Sequence, residues 1–541
     1  MEKVFEGKKV SKGIGEGRVY VFRRNEELIR RRVISDTALE TKRFSDAAEK
    51  TKNDLLLVSE EAKKTFGNTG ADIFSSHLLI LQDPLFLDPV REMIKKDKVN
   101  SEFAIVSVVD RMIEMFSAMK DEYMKARYSD IKDVAERVIL NLSGEEKYEL
   151  NEDGPFIVVS DTAVPGDLMR LKDMGLAAIV TRKGSVYSHT SILARTMGIP
   201  AVTGINFQDD IDGSFAIVDG NLGSFIVDPD ESTKEQYGKE KEDLRSEEEK
   251  LLSLRGLPNI TLDGKEIRIF SNVNSLSDVS NAVNSDAGGI GLFRSEFLYL
   301  EKSDYPSEEE LFINYRKAAE LMGTKPVIIR TLDIGADKNT SYFGLSDEDN
   351  PALGLRGIRF SLQHPETLRT QLRAIYRASN YGKIDILYPM ITSAFEIEEI
   401  KKLEDSVKKE LKDAGSPFSD DVKRGFMIET PAAAIMSDVF AADADFFSIG
   451  TNDLTQYMMA CDRNNDSVAF WGDQKSPAVL RAIEKIVNSA KKNNVLVAIC
   501  GEAAEDMSLT KGFIEMGVDS LSVSPSMVLP LRQYIRGLKL S

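Results

Sequence analysis

The rhythm of apolar and polar positions changes several times along this chain. VSKGIGEGRVYVF, from Val10 to Phe22, sets short apolar runs between glycines and predicts strands. From about 35 to 143 proline and glycine are sparse and Lys, Glu, Leu, Ile and Met are dense. Ile73, Phe74, His77, Leu78 and Leu81 recur there at helical spacing, as do Ala104, Val108, Met112 and Phe116. This stretch predicts several antiparallel helices. Past 154 short apolar strands return at Phe156–Val159 and Ala177–Thr181, punctuated by Pro165, Gly166 and Gly175. A helix is expected over Ser188–Met197, then strands in PAVTG, FAIVDG and SFIVDP. A small α/β domain over about 150–228, completed by residues 1–22, makes the helical region an insertion. Glu231 to Gly256 is heavily charged with few apolar anchors and reads as a solvated helical linker.

Beyond about 260, strand-like and helical segments alternate. The strands are Ile267–Asn272, Gly289–Phe293, Val327–Thr331, Ile384–Pro389, Gly425–Glu429, Phe446–Gly450, Val495–Cys500 and Ser520–Ser524. Amphipathic runs such as Pro365–Ser379 and Ala478–Lys492 separate them. Eight such alternations argue for a (β/α)8 barrel, with a doubly wound open sheet as the alternative. The chain is therefore multidomain α/β, as 541 residues already require.

In a barrel the residues at strand C-termini face the active site. Here they are Asn272, Arg294 and Glu296, Arg330 and Asp333, Glu429, Gly450 through Asp453, and Cys500 through Glu502. Arg356 and Arg463 lie in loops after the third and sixth strands and can reach the same rim. Four arginines suit a phosphate or carboxylate, because the guanidinium fork matches both. Glu429 and Asp453 supply hard oxygen ligands of the kind that Mg2+ takes together with waters and a substrate oxygen. A small phosphorylated carboxylic acid with a divalent metal follows, and phosphoryl transfer is the reaction such groups assist by positioning and charge neutralisation. Singly each residue has a plainer reading. An arginine at a strand end usually forms an ion pair, a loop carboxylate often caps a helix, and a buried cysteine is mostly packing. The weight lies in their meeting at one rim.

Composition narrows the partners. The net charge is −18 with no extended basic tract, which argues against nucleic acid and anionic membranes. No apolar run approaches the roughly 20 residues of a membrane span. The two cysteines, Cys461 and Cys500, form no disulfide framework, and MEKVFEGKKVSKGIGEG has no apolar signal core, so a cytoplasmic protein is expected.

Of three histidines, His77 lies in an apolar helical stripe and His364, before Pro365, reads as a turn residue at a helix start. His189 differs. It sits between hydroxyl residues in Ser188-His189-Thr190-Ser191, where a helix begins and exposed N–H groups favour a dianion. An imidazole there can carry a phosphoryl group on nitrogen; the plainer alternative is a capping or packing histidine.

SHTSILAR followed by GIPAVTG resembles the phosphohistidine signature of Enzyme I of the bacterial sugar phosphotransferase system. GGIGLFRSEFLYL, RTLDIGADK, NPALGLRGIRFSL, GFMIETPAA, FFSIGTNDLTQYMMACDRNN and AICGEAA resemble that family's barrel motifs, in the family's order and across essentially the whole chain. The resemblance implies a swivelling phosphohistidine α/β domain over 1–30 and 144–228 and an all-helical insert over 31–143 that docks the carrier HPr. A helical linker over 229–257 would then lead to a phosphoenolpyruvate-binding TIM-type barrel over 258–541. It implies that His189 takes the phosphoryl group of phosphoenolpyruvate, leaving pyruvate, and passes it to a histidine of HPr. Arg294, Arg330, Arg356 and Arg463 would hold phosphoenolpyruvate with help from Asn452. Glu429 and Asp453 would bind Mg2+, and Cys500 would protonate the enolate. The family is cytoplasmic and dimeric through its barrel.

One segment departs from the family, which usually has two glycines and then Arg-Thr before Ser-His. Here Lys183-Gly-Ser-Val-Tyr187 replaces the second glycine, the arginine and the threonine. Arg182 and Lys183 are the candidates to restore positive charge. Three rivals are weighed. Pyruvate phosphate dikinase and phosphoenolpyruvate synthase need an ATP-binding domain for which this chain has neither the length nor a glycine-rich loop, and they carry Ala-Ala after their histidine. A nitrogen-regulatory paralogue usually has an additional sensory domain. An inactive binding module would not keep His189, Arg294, Glu429, Asp453 and Cys500 together.

Overall fold

The computed structural model describes residues 2–22, 30–66, 77–81, 83–117, 131, 134–135, 137–139, 141–142, 154–161, 171–172, 174–183, 191, 194–195, 197–300, 304–335, 341–343, 348–465 and 467–540. The chain forms two compact units, Met1–Arg245 and Ser246–Ser541.

The first unit is built on a mixed sheet of eight strands. They are β1 (Lys3–Glu6), β2 (Lys8–Ser11), β3 (Ile14–Phe22), β4 (Phe156–Ser160), β5 (Leu176–Thr181), β6 (Ala201–Thr203), β7 (Phe215–Asp219) and β8 (Ser224–Val227). Their spatial order is β1-β8-β7-β3-β4-β5-β6-β2. β1 and β2 therefore form the two edges, although only Gly7 separates them in sequence. The sheet must roll until its edges meet at that residue. Gly7 donates its N–H to Gly223 O (2.9 Å), while a Cβ on it would fall 2.6 Å from Thr203 O and from the Ile205 side chain. Only a bare backbone fits the seam.

β3 pairs in parallel with β4, Arg18 opposite Phe156, so the strands flanking the helical stretch are neighbours. β4 is buried along its length and apolar up to its last residue, Ser160. Its residues alternate between two cores. Phe156 and Val158 join the helical segments, among them Phe44, Phe86, Ile94 and Ile105, and Ile157 and Val159 join the opposite face. This is the two-residue period of a strand covered on both faces. The helices described in full are Thr37–Phe66, Pro84–Asp97 and Ser101–Ser117. Pro84–Asp97 starts where Asp83 accepts from Leu85 N and Pro84 fills the first turn, and it ends at left-handed Lys98. His77 is buried among these helices. The helix Glu231–Leu252 is anchored in this unit by Tyr237, which packs on Ile217 and Ile226, and by Lys241 bonded to Glu16.

The second unit is a closed barrel of eight parallel strands. They are β9 (Arg268–Val273), β10 (Ile290–Arg294), β11 (Val327–Arg330), β12 (Ile384–Tyr388), β13 (Arg424–Ile428), β14 (Phe446–Gly450), β15 (Leu496–Cys500) and β16 (Ser520–Val523). All eight expected strands are present, so the open-sheet alternative falls. Helices close over the outside with local signals. Ser307 and Glu310, and Ser393 and Glu396, make reciprocal capping boxes, and Pro365 opens the helix Pro365–Ala378. His364 is the exposed junction before it, stacked on Phe360. Asp286 and buried Arg532 form a staple that also holds Gly256 N–H and Leu254 O at the start of the unit. Among the described residues no helix is long and apolar enough to cross a membrane.

Candidate functional site

Strand parity aims the chemistry. Leu292, Ile328, Leu387, Met427, Phe446 and Cys500 come from six different strands yet touch one another, so they fill the barrel interior. Two residues further along a strand the same face is presented again. Leu292 thus leads to Arg294, Ile328 to Arg330, Met427 to Glu429, and Phe446 through Ser448 to Gly450. All of these open onto the C-terminal end of the barrel.

There the buried charges interlock. Arg330 pairs with Glu296 and, at 3.1 Å, with Asp333. Arg356 bonds Asp453 (3.0 Å), both oxygens of Asp333 (3.3 Å) and the Tyr457 hydroxyl (3.1 Å). Arg463 stands 3.6 Å from the other Asp453 oxygen. Burial opposes the charge on Arg330 and Arg356, but the surrounding carboxylates outweigh it and hold both firmly protonated. Arg330 Nε and Arg356 Nε are buried with no partner among the described residues. A buried donor left unpaired costs about 1–3 kcal/mol.

Glu429 is held from two sides. Its Oε1 accepts the Met390 N–H at 2.7 Å, and Met390 takes a left-handed φ of 58° to deliver it. Gly450 supplies the space for Oε2, since a Cβ there would lie 2.6 Å away. Burial, then the charges of Asp453 and Asp333, push the Glu429 carboxyl up to about 8 against the pull of Arg330 and Arg356. Glu296, Asp333, Glu429 and Asp453 exceed the two buried guanidiniums in charge. This hard-oxygen, acid-rich spot fits a divalent cation. Among the described residues no group of three or more His, Cys, Asp or Glu has metal-holding geometry. Glu429 and Asp453 would be the protein's ligands, with water and substrate oxygens completing the shell.

Cys500 ends β15. Its Sγ accepts from Ser448 Oγ at 3.3 Å and faces the Ile449 carbonyl at 3.5 Å. Burial raises the thiol's pKa, partly offset by Ser448, so it stays protonated at neutral pH. Arg294 reaches Asn274 at 3.5 Å, and Asn452 exchanges hydrogen bonds with Glu502 at the exposed lip. A cleft of about 220 Å³ opens between Ala352, Arg356, Gln456, Asp462, Arg463 and Asn464. It is smaller than the roughly 300–1,000 Å³ that drug-sized ligands occupy, and its lining includes Arg356 and Arg463 but not Arg330, Glu429, Asp453 or Cys500.

The structure thus brings Arg330, Arg356, Arg463, Glu429 and Asp453 into one network, with Cys500 on the inner wall beside it and Arg294 and Asn452 on neighbouring strand ends. Composition and spacing gave no role to Tyr457, Ser448 or Met390. Tyr457 lies four residues after Asp453, on the same helical face, which was the one signal available. His189 and the altered segment from Gly184 lie outside the described residues. Just before them Arg182 is committed to Asp161, to Phe207 O (3.0 Å) and to the Phe207 ring (4.2 Å).

Comparison with known proteins gives three family matches in chain order. Residues 6–127 match the N-terminal part of PEP-utilising enzymes, 153–223 the mobile domain, and 248–540 the PEP-binding domain. The chain is 36% identical to the phosphoenolpyruvate-protein phosphotransferase of Priestia megaterium, covering 99% of this chain and 94% of that protein. It is 38% identical to that of Bacillus subtilis (97% and 93%) and 34% identical to that of Staphylococcus carnosus (99% and 94%).

Proposed function

The chain belongs to the family of phosphoenolpyruvate-protein phosphotransferases, and from that premise we propose that it moves the phosphoryl group of phosphoenolpyruvate to its own His189 and then to a histidine of the carrier HPr. The observation that carries this reading is the buried network of Arg330, Arg356, Glu429 and Asp453 at the barrel's open end, with two guanidinium donors uncommitted.

Arg294, Arg330, Arg356 and Arg463 neutralise the phosphate and carboxylate, and Asn452 adds a side-chain amide. Mg2+ held between Glu429 and Asp453 would supply charge neutralisation at the phosphoryl oxygens. His189 attacks phosphorus, a P–N bond forms and the P–O bond to the enolate breaks. The Cys500 thiol then gives its proton to the enolate carbon, completing pyruvate. A site that shields these charges from water strengthens each interaction. Residues 31–143 are the proposed dock for HPr, residues 1–30 and 144–228 the phosphohistidine domain, and 229–257 the linker that lets one histidine serve two partners.

Homodimerisation through the barrel, in the cytoplasm, completes the proposal. Exposed Leu353, Phe395, Ile435, Val439, Phe470 and Trp471 follow the adjacent strands β11, β12, β13 and β14. Covering such apolar side chains with a second copy is what supports this reading.

Incubation with radiolabelled phosphoenolpyruvate and Mg2+, without ATP, tests the reading. Acid-labile, base-stable label is expected on wild type, absent from His189→Ala, and transferred when HPr is added. Wild type that takes no label sinks the proposal.

A further inference from the structure

The helix Thr451–Met459 carries Asp453 and Tyr457 one turn apart on one face. The Tyr457 hydroxyl donates to the carbonyl of Ala352 and accepts from Arg356 Nη1 at 3.1 Å. Ala352 sits in the short turn Pro351–Leu353 of the long β11 loop, and Arg356 follows four residues later. One phenol therefore ties the backbone of the β11 loop, the arginine that loop carries, and the helix after β14. Its ring is half-buried, and burial raises its pKa, so the hydroxyl remains a donor at neutral pH.

The consequence falls on Arg356. Nη1 is engaged by Asp453 and Tyr457, and Nη2 by Asp333. Nε is the donor left over. A guanidinium fixed at both ends of its fork presents that N–H in one direction. Ala352, Arg356 and Gln456, which borders Tyr457 in sequence, line the same cleft.

We propose that Tyr457 is a positioning residue for phosphoenolpyruvate: it latches the β11 loop to the Asp453 helix and so fixes Arg356 for the anion. The inference rests on the reading of this cleft as the phosphoenolpyruvate site. An interaction present before and during reaction contributes uniform binding, so its loss appears in KM and not in kcat.

The experiment uses the full chain with Tyr457→Phe, which keeps the ring and removes both hydrogen bonds. Phosphoenolpyruvate affinity is measured by calorimetry with Mg2+ present, and kcat and KM from pyruvate release with HPr. Kd and KM are expected to rise about five- to tenfold, the net worth of one ordinary hydrogen bond, with kcat within about twofold. In an Arg356→Lys background the same change should cost less than about twofold, because the latch then has no fork to hold. Unchanged Kd in Tyr457→Phe overturns the proposal while leaving the site reading intact. So does a fall in kcat at unchanged Kd, or equal losses in both backgrounds. Wild type that binds no phosphoenolpyruvate overturns both.

Discussion

Gly450→Ala probes the geometry of the site with one methyl group. The backbone at Gly450 has φ −82° and ψ 84°, open to alanine without a left-handed strain, so the substitution acts through space alone. The added Cβ would lie 2.6 Å from Glu429 Oε2 and 2.9 Å from Glu429 Cβ. Ordinary contact begins at 3.4 Å, so Glu429 must yield by roughly 0.8 Å. It has little freedom to do so, since Oε1 is held by Met390 N–H and Ile428 pairs with Ile449 across the two strands. Overpacking of this kind costs about 1–3 kcal/mol of stability. A displacement near 1 Å at a reacting centre costs about 10²-fold in rate. The assays are urea unfolding, Mn2+ binding by electron paramagnetic resonance, and the rate of label uptake from phosphoenolpyruvate. Gly512→Ala is the control. Gly512 lies inside the helix Met507–Met516 with nothing within 4 Å of a new Cβ, so it should gain about 0.5–1 kcal/mol at wild-type activity. Folded Gly450→Ala with wild-type label uptake and wild-type Mn2+ affinity would refute the placement of Glu429 at the reacting site. Glu429→Gln, which keeps the volume and an acceptor for Met390, separates charge from space if Gly450→Ala fails to fold.

Cys500→Ala should slow pyruvate formation by about 10²- to 10⁴-fold, the usual worth of a positioned acid, and leave phosphoenolpyruvate affinity within a few-fold by calorimetry. A wild-type turnover would remove Cys500 from the mechanism. Asp286→Asn should lower the urea midpoint by breaking the staple to Arg532 and Lys325. Burial favours the neutral carboxyl, but Gly256 N–H, Arg532 and Lys325 more than offset it and bring Asp286 from 3.8 to about 2. A depressed folded pKa means the contribution is complete above pH 4 and is lost as pH falls toward 2. The gap between wild type and Asp286→Asn should therefore be constant from pH 5 to 7 and narrow below 4. A gap that widens on acidification would contradict this sign.

The barrel was legible in the sequence because parallel strands covered on both faces are near-continuous apolar runs, and each ends abruptly at a polar residue. Ile328-Ile329-Arg330 and Met427-Ile428-Glu429 mark both a strand and the side chain at its mouth. What could not be read is who holds whom. Arg356 looked like a free substrate ligand, yet Asp333, Asp453 and Tyr457 share it, because pairing across loops is set by the barrel's closure and not by local spacing. Met390 gave no warning either: a left-handed methionine is upheld by its packing, including the room left at Gly357, where a Cβ would meet its side chain at 2.8 Å. Arg182 gave no sign of its partners Asp161 and Phe207, which only the folded unit brings to it. The rolled first sheet was invisible for the same reason at larger scale, since no local pattern pairs Lys3 with Val227.

That last pairing sets a timetable for synthesis. One short strap, Lys3–Ser11, seals both edges of the sheet, against β8 on one side and β6 on the other. It leaves the ribosome well before its partner strands, which arrive only near positions 201–203 and 224–227. At roughly 5–20 residues per second the strap waits on the order of ten to forty seconds for β8. Through that interval it has no strand to pair with, and Lys3, Lys8 and Lys9 keep it poorly suited to pairing with another chain. The helices between β3 and β4 are made meanwhile, so the last seam to close in the first unit is the one written first.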